Sequence, residues 1–139
     1  MAIGSVQKNV GEKKVYTPLV EGQYSATLQR IKEVPTKKGD GMYLDATFEV
    51  AEGENKGRLL FHKFLIDHPS EKAVEIGKEQ LDRFLQAAGV NGGLEGIGFD
   101  MSADTLSEFA DKLVVTNVKI EPGTNGYPDR NKITSFSVR

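Results

Sequence analysis

Five stretches with a side-chain period of two and one with a period of about 3.6 run strand, strand, strand, helix, strand, strand, which predicts an all-β domain with a helical insertion. Two observations carry most of this. Met42, Leu44, Ala46, Phe48 and Val50 alternate with Tyr43, Asp45, Thr47 and Glu49, so one face is apolar and the other polar. Further on, Ile76, Leu81, Phe84, Leu85 and Ala88 recur at helical spacing between an entry at Pro69-Ser70 and a stop at Gly89. A chain of 139 residues, 38 % hydrophobic and 27 % charged, is long enough to build one cooperative core.

The elements follow in order. Residues 1–21 show no sustained periodicity and hold Lys8, Lys13 and Lys14, which reads as an N-terminal arm ahead of a domain spanning 22–139. Gly22 to Val34 alternates as a first strand, with a change of face near Ile31 and Val34 that a bulge explains. Pro35 to Gly41 is a loop punctuated by one proline and two glycines. After the second strand, Ala51 to Gly57 makes a hairpin connection. Arg58 to Ile66 is apolar on both faces, so its orientation stays open.

In the helix, Glu71 suits the first turn, and Gly77 in the middle implies close packing against a neighbour. Gly92 to Gly98 reads as a glycine-rich loop. Ser102 to Asp111 reads as a short helix capped by Ser102, with Leu106, Phe109 and Ala110 inward. Leu113 to Ile120 and Lys132 to Val138 are the last strands, joined by the loop from Glu121 to Asn131.

A helix between the third and fourth of five strands is the order of the OB-fold, a five-stranded Greek-key barrel. An SH3-like barrel or a sandwich fragment also has five strands, but the helix in that slot favours the OB-fold. Such barrels bind ligands on the face of strands two and three and on the loops joining strands one to two and four to five.

Net charge is −2, which by itself argues against a nucleic-acid partner. The distribution argues otherwise. Residues 1–68 carry 10 Lys and Arg against 9 Asp and Glu, residues 69–111 carry 3 against 9, and residues 112–139 carry 5 against 2. A globally acidic protein of this pattern can still own a basic surface.

The regions where an OB-fold binds hold Lys37 and Lys38 in the first loop and Tyr43 on the polar face of the second strand. They also hold Lys56 and Arg58 at the entry to the third strand, and Phe61 and Lys63 sharing one of its faces. Tyr127, Arg130 and Lys132 occupy the last loop and the start of the last strand, with Asn131 between them. Single-stranded nucleic acid calls for this pairing of cations that follow phosphates and rings on which bases stack. Each residue also has a plainer role: a solvated loop for the lysine pair, cross-strand packing for Tyr43, core for Phe61, a loop anchor for Tyr127.

Gly22-Gln23-Tyr24, the segment from Thr36 to Leu44, and Phe48-Glu49-Val50 running on to Lys56-Gly57-Arg58 resemble a small phage protein family. Ile76-Gly77-Lys78 and Arg130-Asn131-Lys132-Ile133 resemble it too. The family is catalogued as a domain of unknown function and occurs in tailed-phage replication and recombination modules. Its members are regarded as candidate single-stranded-DNA binders with an OB-type barrel. The resemblance covers about Glu21 to Val138 and implies single-stranded DNA as partner, alongside phage replication or recombination proteins; a homo-oligomer is compatible with it. One departure stands out. Many single-strand binders end in an acidic tail that recruits partners, whereas this chain ends Ser137-Val138-Arg139, so recruitment by that route is not expected.

Enzyme readings fare poorly. With no cysteine, disulfides, Cys-ligated zinc, iron–sulfur clusters and thiol catalysis are excluded. His62 and His68, the only histidines, are six residues apart, which is not a zinc spacing. Gly77-Lys78-Glu79 lacks the Ser or Thr and the glycine-rich lead-in of a P-loop. The glycines of 92–98 follow no strand, and Asp45 and Glu49 read as solvated rather than as a two-metal site. No apolar run approaches the ~20 residues of a spanning helix, and Met1 to Gly11 lacks a signal-peptide pattern. The expectation is a non-enzymatic binder of single-stranded DNA, without metal, cofactor or membrane partner, in the cytoplasm (the host's, if phage-encoded). The other reading is a protein-interaction or scaffold module that binds no nucleic acid.

Overall fold

The computed structural model describes residues 17–138. Lys8, Lys13 and Lys14 of the expected arm lie outside the described residues. The elements are β1 (Gly22–Pro35), β2 (Met42–Val50), β3 (Leu59–Asp67), α1 (Glu71–Ala87), α2 (Gly93–Gly96), α3 (Ala103–Ser107), β4 (Leu113–Glu121) and β5 (Arg130–Ser137). All strand pairs are antiparallel, in the order β3-β2-β1-β4-β5. Among the described residues no hydrogen-bonded ladder joins β3 to β5, so the sheet is open and the expected barrel is not closed.

Side chains bridge the core side of that seam. His62 of β3 packs edge-on against Phe136 of β5 with ring centroids 5.5 Å apart, and Phe64 stacks on Phe136 at 5.8 Å. Phe48 and Phe84 complete the cluster, each 5.5 to 5.6 Å from Phe136. Each such pair is worth about 0.5–1.5 kcal/mol beyond the area it buries. Leu28, Leu44, Leu60, Leu81, Leu85 and Ile133 fill the rest of the core.

The bulge expected in β1 falls between Leu28 and Arg30. It leaves Gln29 as the extra residue, after which Ile31 points to the core and Arg30 and Lys32 point outward. Residues 17–21 are not a loose extension. Leu19 is buried, its N–H donates to Asn131 Oδ1 at 2.8 Å, and its carbonyl accepts from Asn131 Nδ2 at 3.0 Å.

α1 starts where expected. Ser70 Oγ accepts from the Ala73 N–H at 3.3 Å, and Gly89, at φ +97°, ends the helix in the left-handed region. Its buried stripe is Gly77, Leu81, Phe84, Leu85 and Ala87. The expected inward Ile76 is instead 48 % exposed. The stripe begins on Gly77, whose missing side chain lets the helix backbone rest on β3: a Cβ there would stand 2.0 Å from the Leu65 carbonyl oxygen. The stretch 92–98, expected as a loop, contains the helical turn α2, pinned by the Leu94 N–H donating to Asp82 Oδ1 at 2.8 Å. α3 is shorter than expected, with Ser102 capping it and Leu106 buried, while Phe109 and Ala110 are half-buried.

Candidate functional site

The register across β1, β2 and β3 sets out the outward face in rows. One row is Val34, Tyr43, Leu65; the next is Lys32, Asp45, Lys63; the third is Arg30, Thr47, Phe61. Leu44, Ala46, Phe48 and Val50 take the core side of β2, which turns Tyr43 and its alternating neighbours outward. The ambiguity of β3 is thereby resolved: Leu60 and Phe64 are buried, while Phe61 is 56 % exposed and Lys63 is exposed beside it. Lys63 Nζ lies 5.0 Å from the centroid of the Tyr43 ring. That geometry is a cation–π contact.

A cleft of about 490 Å³ opens between β3 and β5. Leu59, Phe61 and Lys63 line it from β3, Arg130 and Lys132 from β5, and His62 and Gln80 also border it. His62 Nε2 and Gln80 Oε1 are 3.0 Å apart, joining β3 to α1. Burial pushes the His62 pKa below its ordinary 6.5; the hydrogen bond to Gln80 Oε1 opposes the shift and the nearby Lys132 charge adds to it. The cations of the cleft are not isolated. Arg130 Nε donates to Glu121 Oε1 at 2.8 Å, and Lys132 Nζ stands 3.9 Å from Glu121 Oε2.

The remaining expected residues flank this centre. Lys37 and Lys38 are exposed in the loop from β1 to β2, next to the end of β2 that carries Tyr43. That loop is held by the Thr36 hydroxyl on Asp40 Oδ1 at 2.7 Å and by His68 at 4.0 Å from Asp40. Tyr127 is 74 % exposed in the loop from β4 to β5, where Asp129 Oδ1 accepts from the Gly123 N–H at 2.9 Å. Arg130 borders both this loop's hollow and the cleft. Lys56 and Arg58 sit at the far end of the β2–β3 hairpin from Tyr43, and Arg58 donates to the Thr17 carbonyl at 2.6 Å. Phe61, Lys63, Arg130 and Lys132 are therefore brought together, Tyr43 is joined to them through Lys63, and Lys56 and the lysine pair stand at opposite ends.

The residues 5–136 match the protein family described as “Protein of unknown function (DUF669)”. The chain belongs to this family. No curated protein matches the chain. The family's description assigns no activity, so the chemistry of the face and cleft carries the functional argument.

Sequence reasoning missed Arg30, Lys32 and Gln80. The first two turn outward only because the bulge at Gln29 resets the alternation, a signal present in the sequence as the change of face near Ile31. Gln80 belongs to the cleft through a contact across 18 residues of chain, which no local pattern records. Among the described residues, no helix is long and apolar enough to cross a membrane.

Proposed function

We propose that the protein is an OB-type binder of single-stranded DNA, tolerant of sequence, acting in phage DNA replication or recombination. The observation that carries the reading is Phe61, a large apolar ring 56 % exposed on the outward face of β3, with Lys63 and the Arg130–Lys132 pair around it. An exposed ring among cations suits a strand whose bases stack while its phosphates are neutralised. The strand order with its open seam between β3 and β5 is compatible with the partly open five-stranded Greek-key barrel of OB-folds. The loops from β1 to β2 and from β4 to β5, with Lys37, Lys38 and Tyr127, are the loops that such folds use. The phage context rests on the family resemblance.

The test is fluorescence anisotropy of a labelled oligothymidine against duplex of the same length. Micromolar or tighter binding to the single strand, weaker on duplex, supports the reading; no binding discards it.

A second reading is favoured by a separate observation. Ile76 and Phe99 are 48 % and 63 % exposed beside Glu75, Glu79 and Glu95, an acidic and partly apolar face suited to a protein partner. Light scattering with and without oligothymidine separates the two. Assembly that changes only with DNA favours the binder, and a stable complex without DNA favours the scaffold.

A further inference from the structure

We propose that the seam between β3 and β5 receives one nucleotide of the bound strand, its base against Phe61 and a carbonyl oxygen of the base accepting from the Gln80 amide. The inference rests on the single-strand reading and adds to it a position where base identity is read. It concerns a residue, Gln80, that the sequence does not single out.

The cleft has the dimensions and the division of chemistry for this. At about 490 Å³ it falls within the range of ~300–1,000 Å³ common to small-molecule sites. One wall is apolar, from Leu59 and Phe61; the opposite wall carries Arg130 and Lys132. A nucleotide has the same division, a flat apolar face on one side and a phosphate on the other. Lys63, Arg130 and Lys132 line the cleft against Glu121 and Asp129, so it keeps a surplus of one positive charge for a phosphate.

The polar floor supplies the selectivity. His62 is wedged among rings, 4.6 Å from Phe64 and 5.5 Å from Phe136 by centroids, and is held to Gln80 Oε1 at 3.0 Å. Gln80 Oε1 can only accept, so the contact is made by the imidazole Nε2–H donating to it. That bond fixes which way round the amide sits. The Gln80 amide nitrogen then has no protein partner among the described residues, and its two N–H groups are the donors at the floor. Thymine and cytosine carry carbonyl oxygens to accept them; adenine carries none. Adenine accepts only through ring nitrogens, which do not project from the base edge as a carbonyl oxygen does, so it meets these donors at longer distance and in poorer geometry.

Anisotropy titrations of labelled oligothymidine and oligodeoxyadenosine, on the wild type and on Gln80→Met and Phe61→Leu variants, test this at one salt concentration. The wild type should prefer oligothymidine. Gln80→Met should lower that preference by about five- to tenfold, the loss expected of one hydrogen bond, while leaving adenine binding nearly unchanged. Phe61→Leu should weaken both strands alike. Thermal unfolding of each variant confirms that the fold is kept. A Gln80→Met protein that is folded and holds the wild-type preference overturns the inference and leaves the single-strand reading standing. A wild type that binds neither strand overturns both.

Discussion

Lys63 Nζ stands over the ring of Tyr43, 5.0 Å from its centroid, across the β2–β3 ladder. The contact orients a cation and a ring on one surface before any ligand arrives, which lowers the ordering cost of binding. It also occupies a face of the tyrosine. Phe61, two residues along the same face of β3, has no such cover among the described residues and is 56 % exposed.

Stacking should therefore fall more on Phe61 than on Tyr43. Phe61→Ala is expected to weaken oligothymidine binding by about 1–3 kcal/mol, roughly five- to 150-fold, and Tyr43→Ala by less. Anisotropy titrations of the two variants rank them; the reverse order would show that Tyr43 is the principal platform.

Glu121 holds both Arg130 and Lys132, so it competes with phosphate for them. Glu121→Gln should tighten binding and steepen its salt dependence, whereas Lys63→Gln should weaken binding. Losing one phosphate contact flattens the log–log salt slope by about 0.7. Titrations at three salt concentrations read both effects.

Gly77→Ala should destabilise the fold although alanine is the better helix former by about 1 kcal/mol. The new methyl would meet the Leu65 carbonyl oxygen at 2.0 Å, backbone against backbone, where neither side chain can yield. An approach this close to a backbone oxygen belongs at the upper end of the overpacking range, about 3 kcal/mol, so after the helix-propensity gain the net loss is expected at about 2 kcal/mol by urea unfolding.

His62 makes stability depend on pH. Its folded pKa lies below the ordinary 6.5, chiefly through burial, so the unfolded chain takes up a proton first as pH falls. The contribution is complete above about pH 6.5 and is lost as pH drops from there toward the folded value. Lys63, Arg130 and Lys132 line the same cleft and oppose a further positive charge, against Glu121 and Asp129. Thermal midpoints should fall between pH 7 and pH 5.5, and His62→Gln should reduce that fall. Asp100 acts in a separate window. The Thr105 hydroxyl, then the Ser102 N–H, hold its pKa below 3.8, so its share is lost only under more acid conditions.

The strands were legible because alternation reports a half-buried sheet directly, and β2 is the clearest case. β3 was legible as a strand but not in orientation, since Leu59, Phe61 and Leu65 are as apolar as Leu60, Phe64 and Ile66. Only pairing with β2, which sets Phe61 opposite Thr47, turns its ring to the surface. Ile76 misled because a periodicity of apolar residues passes over the glycine that truly leads the stripe. The open seam and its His62–Gln80 floor depend on how far the two edge strands approach, a matter of ring packing rather than local sequence.

The most direct test of the account is the affinity for labelled oligothymidine at 50 mM and at 200 mM salt. With about four phosphates neutralised, by Lys37, Lys38, Lys63 and one of the Arg130–Lys132 pair, the log–log slope should be near −3, roughly a 50-fold loss over that interval. Affinity that is absent, or that is unchanged between the two salt concentrations, would contradict it.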